Sequence, residues 1–190
     1  MFASTIAEFY VSSGQVRVEL EIGAADIGAF RNLLPDGVYK EMGFGEQPLA
    51  ERLQSFAQQD LVIRASDKPL PARLQRIEPA KRVARDEISG EPMVVEEQSE
   101  EIVLLATLLY TMEGEPAQLS FTPPMRYGPI NIGFVAYHNG VAVNDFRYLG
   151  KPALLELDWA DPWYSAFLTR SLRRAYYAPM SGFLYIEPYE

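Results

Sequence analysis

The residues best equipped for chemistry crowd into one stretch. Leu157-Asp-Trp-Ala-Asp-Pro-Trp-Tyr-Ser165 holds both tryptophans, and Phe167, Arg170, Arg173, Arg174, Tyr176 and Tyr177 follow it. Aromatic side chains interleaved with arginine are the chemistry of sugar stacking, peptide-groove binding and protein hot spots. On that ground Trp159, Trp163, Tyr164, Arg173, Arg174 and Tyr176 are the candidate ligand- or partner-binding residues. A second role is open to the same side chains. A long crossover between two strands needs large anchors to be ordered, so Trp159 and Trp163 can instead plug the end of a sandwich while the arginines pair with acidic residues.

Catalytic chemistry finds less to work with. There is no Cys and a single His, so thiolate zinc sites, disulfides and redox motifs are excluded, and His138 alone could serve a serine nucleophile. His138 falls beside Asn139-Gly140, a hairpin tip, which makes it a turn residue. Ser12-Ser-Gly14 and Met180-Ser-Gly182 lie outside the G-x-S-x-G frame of a nucleophile elbow, and Gly43-Phe-Gly45 lacks the remaining glycines and the lysine of a phosphate loop. Asp158-x-x-Asp161 with Asn144-Asp145 is too sparse for a calcium loop. No catalytic residue, metal ligand set or cofactor is therefore assigned. Carboxylates are plentiful, and two of them suffice for glycoside hydrolysis, but no sequence feature singles out a pair.

Charge narrows the partners. Lys and Arg total 17 against 26 Asp and Glu, a net charge of −9, which disfavours nucleic acid because that affinity rests on neutralising many phosphates. Part of the acidity is local: Glu87, Glu91, Glu96, Glu97, Glu100 and Glu101 follow the basic Lys81, Arg82 and Arg85, and 87–101 reads as an acidic surface loop. The longest apolar run, Ile102 to Tyr110, is far shorter than the roughly 20 residues a membrane helix needs. No membrane insertion by this segment is expected, although a longer parent protein could be anchored. The first residues lack a secretion signal, which suits either a cytoplasmic chain or an exported one without its leader. Phe183 to Glu190 ends on a strand-like alternation, as in a fragment of a longer chain.

The elements that must position these residues are mostly strands. Val16, Val18, Leu20 and Ile22 alternate with Arg17, Glu19 and Glu21, the period of a half-buried strand, and Ser12-Ser-Gly-Gln15 turns it back on Ile6 to Val11. Two short helices are expected in the first third. Ile27, Phe30 and Leu34 mark one between Ala24 and Leu34, stopped by Pro35-Asp-Gly37; Leu49, Leu53, Phe56 and Ala57 mark the other after Pro48, with Arg52 on its polar side. The glycine-rich 37–47 reads as an irregular loop. Beyond Leu61 the sequence predicts three hairpins: Leu61 to Ala65 with Leu70 to Ile77 across Ser66-Asp-Lys-Pro69, Glu101 to Met112 with Ala117 to Thr122, and Asn131 to Tyr137 with Val141 to Tyr148 across Asn139-Gly140. Ala153 to Asp158 and Phe183 to Ile186 complete the set. The fold expected for 1–190 is a single, mainly β domain, an antiparallel two-layer β-sandwich of immunoglobulin-like or related type with two short helices.

Three pieces carry a resemblance: "VSSGQVRVELEIGAADIGAF", "LVIRASDKPLPARLQ" and "VLLATLLYTMEGEPAQLSFTPP". Their order of amphipathic strand, short helix, strand with a polar-proline turn and later strands resembles the N-terminal extracytoplasmic domain of bacterial HupE/UreJ-type membrane proteins and similar envelope proteins. It covers about two thirds of the chain as a pattern of hydrophobicity and turns, and it carries over no functional residue. The resemblance implies a β-sandwich in the periplasm or at the cell surface. Together with the aromatic-arginine segment it points to a non-catalytic module that binds a protein or carbohydrate ligand. A carboxylate-dependent carbohydrate hydrolase and a structural spacer are the competing readings.

Overall fold

A computed structural model describes residues 3–82, 101–126, 130, 132–144 and 146–159. The chain divides into two compact units, Met1–Leu157 and Asp158–Glu190, and both sheets belong to the first.

Eleven strands are described: β1 (Thr5–Ser12), β2 (Gln15–Ile22), β3 (Val62–Ala65), β4 (Lys68–Pro69), β5 (Ala72–Lys81), β6 (Ile102–Thr111), β7 (Gln118–Thr122), β8 (Ile132–His138), β9 (Val141–Ala142), β10 (Arg147–Tyr148) and β11 (Ala153–Glu156). The large sheet runs β10-β8-β1-β2-β6-β5 with β9 also on β8, and the small one runs β11-β7-β3-β4. The fold is mainly β, as expected, with one departure from antiparallel pairing: β1 and β8 run parallel. The sheets meet through their aromatic residues. Phe9 of β1 lies 4.4 Å from Phe121 of β7 between ring centroids and 6.0 Å from Phe134 of β8. Val16, Val18, Leu20, Ala106 and Leu108 fill the same buried layer, so the period-2 alternation of β2 does place its apolar face on the core.

Two expected hairpins are instead crossings between sheets. After β3 the turn at Ser66 and Asp67 takes positive φ at both positions, and β4 pairs with β3 for two residues. Leu70 N–H adds one more bond, to Ile63 O. Pro71 ends the ladder because it has no N–H to give, and its carbonyl accepts from Thr111 of β6 instead. From Ala72 the chain therefore pairs with β6 in the large sheet. The second crossing follows from occupancy: β6 already has β2 and β5 on its two edges, so β7 must pair elsewhere and sits between β3 and β11. The third hairpin forms as expected, with Asn139 and Gly140 at φ 49° and 83°. Its far side is irregular. Asn144 replaces a backbone partner by accepting from Ala136 N–H with its side-chain oxygen at 2.6 Å, and Phe146 lies over Gly133, where a Cβ would come within 2.1 Å of the ring.

The helical segment differs from expectation in detail. Ala24 to Leu34 forms two 3-10 turns, Ala24–Asp26 and Arg31–Leu33, rather than one helix. Pro35-Asp-Gly37 starts a helix instead of stopping one. α1 (Asp36–Glu41) begins directly after Pro35, with an acidic first residue, inside the expected loop. α2 (Leu49–Ser55) follows Pro48 as expected and continues as a five-residue π turn, Phe56–Asp60. Arg52 is not on a wet face: it is fully buried.

Candidate functional site

Register builds one constellation on the outer face of the large sheet. The two-residue turn at Ser13 and Gly14 sets Ser12 opposite Gln15, which places Tyr10 opposite Arg17, Glu8 opposite Glu19 and Ile6 opposite Glu21. The parallel neighbour β8 puts Tyr137 beside Tyr10. Side chains alternate along a strand, so all of these share the face opposite Phe9 and Val18.

The result is a ladder across three strands. Tyr137 and Tyr10 stack with centroids 4.9 Å apart and planes 9° from parallel, and the Arg17 guanidinium lies 4.1 Å from the Tyr10 centroid on the neighbouring strand. Tyr10 hydroxyl donates to Glu8 Oε2 at 2.7 Å, and Arg17 pairs with Glu19. Burial, then the hydrogen bond to Glu8 and the charges of Glu8 and Glu19, raise the Tyr10 pKa well above the usual phenol range. Tyr10 is thus a proton holder and a donor. Because Tyr137 and Arg17 lie against its ring and its hydroxyl is committed to the buried Glu8, the half-buried Tyr10 offers a partner its edge rather than a stacking surface.

The face also supplies the carboxylate pair that sequence reading did not single out. Directly opposite residues on antiparallel strands hold their Cβ atoms about 4.5 to 5.5 Å apart, so Glu8 and Glu19 are neighbours. The signal was present in the hairpin turn: once Ser13-Gly14 is the turn, counting back from it pairs the two glutamates.

A second polar cluster lies inside the first unit. Asn32 Nδ2 donates to Asp60 Oδ2 at 2.6 Å, Tyr110 hydroxyl donates to Leu61 O at 2.8 Å, and Asp60 and Tyr110 are both fully buried. Beside it, Arg52 donates to Gln47 O and Leu34 O, each at 2.8 Å, and to Asn32 O and Arg31 O at 3.3 and 3.4 Å. It also pairs with Asp36 and lies 4.2 Å over the Tyr39 ring. That is a structural clamp on the carbonyls of Arg31, Asn32 and Leu34.

Of the six sequence-chosen site residues, Trp159 is described and is half-buried, in the second unit. Trp163, Tyr164, Arg173, Arg174 and Tyr176 lie outside the described residues, as do 87–100 of the expected acidic loop. Its last residue, Glu101, is exposed and pairs with Arg82 at 2.8 Å. His138 is the last residue of β8, is buried, and lies 3.3 Å from the Asn139 amide. Among the described residues no group of three or more His, Asp or Glu is placed to hold a metal, and no helix is long and apolar enough to cross a membrane.

Neither a protein-family model nor a curated protein matches the chain.

Proposed function

We propose that this chain is a non-catalytic interaction module of a bacterial envelope protein, acting outside the cytoplasm and using the outer face of its large sheet to bind a protein ligand. The observation that carries the reading is the Tyr137-Tyr10-Arg17 ladder. Tyrosine and arginine are enriched among the residues that dominate binding energy at protein interfaces. A sugar ligand is less well served, because sugars stack on ring faces and Tyr10 has its own ring taken up by Tyr137 and Arg17. The extracytoplasmic placement rests on the resemblance of the strand and turn pattern to envelope domains.

The test pairs affinity with stability. Arg17 is partly exposed and its ion pair with Glu19 is a surface one, so Arg17→Ala is expected to change stability by no more than about 1 kcal/mol. A hot-spot arginine, in contrast, loses about 30-fold in affinity or more. Ligands selected by the wild-type chain from a displayed peptide library should therefore bind Arg17→Ala at least that much more weakly at an unchanged melting temperature. Equal affinity for both proteins would remove the ladder from the interface. Alkaline phosphatase fused to the native gene product reads the compartment, since it is active only after export.

The pairing of Glu8 with Glu19 favours a second reading, a carbohydrate hydrolase. Each carboxylate is held in place by a donor, Glu8 by Tyr10 and Glu19 by Arg17, and two positioned carboxyl groups are what glycoside hydrolysis requires. Cleavage of a chromogenic glycoside that is lost in Glu19→Gln would carry that reading instead.

A further inference from the structure

β6 is apolar on both of its faces. Ala106, Leu108 and Tyr110 are fully buried in the core, whereas Leu105 and Leu109, on the other face, are only half-buried. A strand with one wet face normally alternates apolar with polar residues, as β2 does, and a continuous apolar run belongs to a strand covered on both sides. Register shows what borders these leucines. Leu109 lies opposite Arg17 of β2 on one side and opposite Arg73 of β5 on the other, and Thr107 lies between Glu19 and Arg76 in the same way. The Tyr137-Tyr10-Arg17 ladder thus continues through Leu109 to Arg73, on the strand that ends the sheet. With neighbouring strands about 4.8 Å apart, the two arginine positions are about 10 Å apart. The arginines differ in what they already hold. Arg17 is paired with Glu19, and Arg76 with Glu78 at 3.4 Å, while Arg73 is exposed and makes no ion pair among the described residues.

We propose that this row takes an acidic peptide segment, one apolar side chain of which covers Leu109 between carboxylates that meet Arg73 and Arg17. The proposal rests on the outer face being the interface, and it adds the chemistry of the partner. Charge selects this occupant. A guanidinium binds a carboxylate through two parallel N–H···O bonds, and Arg73 has its whole fork to give. Arg17 keeps 41% of its side chain exposed even when paired with Glu19. An anionic polysaccharide would meet the arginines but leave Leu109 wet, whereas a wholly apolar surface would bury Arg73 without a counter-charge. A peptide carries both groups on one chain, and an extended one spans about 10 Å in about three residues. Leu105 lies opposite Glu21, which is buried, so the open ground is the end of the face that holds Arg17, Leu109 and Arg73.

A displayed random peptide library supplies the probe. Peptides selected by the wild-type chain should carry Asp or Glu on both sides of an apolar residue, and their affinity should fall as salt is raised. Arg73→Glu should weaken them about 30-fold or more at an unchanged melting temperature, because an exposed attraction becomes a repulsion. Leu109→Thr keeps a strand-forming residue and should weaken them about tenfold, with its melting temperature measured alongside. Two results overturn the acidic partner and leave the ladder interface standing: selected peptides without acidic residues, or full affinity in Arg73→Glu when Arg17→Ala has lost it. Polyglutamate offers the charge without the apolar side chain, and binding it as tightly as the selected peptides also overturns the proposal. Full affinity in both Arg73→Glu and Arg17→Ala removes the outer face altogether.

Discussion

Arg52→Ala is expected to lower the unfolding free energy by about 3 to 5 kcal/mol, a large part of the 5 to 15 kcal/mol that a typical domain holds. The clamp explains the size. One guanidinium reaches four backbone carbonyls, those of Arg31, Asn32, Leu34 and Gln47, and no water replaces it while its surroundings stay closed, because the side chain is fully buried. Removing it leaves these acceptors without their donor and opens a cavity beside Tyr39. Two controls locate the effect. Arg52→Lys keeps the charge, but an ammonium lacks the planar fork that spans separated carbonyls, so it should recover only a minor part of the loss. Asp36→Ala should cost about 1 kcal/mol or less, because its carboxylate is 67% exposed and screened. Urea unfolding measures all three. A loss below about 1 kcal/mol for Arg52→Ala would mean that these carbonyls are satisfied by other means.

This clamp also shows where sequence reasoning stops. Arginine at position 52 sits among Glu51, Gln54 and Gln58, and a helical wheel puts it with the polar residues. Nothing in helical periodicity says that a 3-10 turn twenty residues earlier will present three carbonyls to it. Strand 2 was legible because alternation is a local property and the core is on one side of it. Its hairpin was legible for the same reason, through the glycine that supplies positive φ after Ser13. The partners of β5 and β7 were not, because sheet membership depends on which edges remain open, and that is a property of the whole topology. Proline 71 did carry a readable signal: a residue without an N–H cannot continue a ladder that needs one. The same limit applies to the candidate site. Aromatic and arginine residues are dense in sequence along the tryptophan segment, while Tyr10, Arg17 and Tyr137 come together only through antiparallel and parallel pairing of three strands.

Gly23→Ala is expected to cost about 3 kcal/mol or more, and the reason is contact rather than backbone strain. Gly23 has φ −69° and ψ 153°, ordinary for any residue, yet a Cβ there would lie 2.2 Å from Ser4 O and 3.0 Å from the Arg82 guanidinium. Ser4 cannot retreat. Its carbonyl accepts from Arg82 at 2.6 Å, its hydroxyl bonds Asp26, and Thr5, the first residue of β1, is already paired to β8 and bonded to Asp26 at 2.6 Å. Gly37→Ala is the matched control. That glycine lies in α1 with nothing within 4 Å of the added carbon, so alanine should be neutral or stabilise by up to about 1 kcal/mol through helix propensity. Calorimetry of the two variants separates crowding from any general effect of losing glycine. The register of β1 on β2 is set at the other end of the hairpin, by the turn at Ser13 and Gly14. A Gly23→Ala protein that still folds should therefore keep the Tyr10–Tyr137 stack and its ligand binding while losing stability. A melting temperature equal to that of the wild type would show that Ser4 can move.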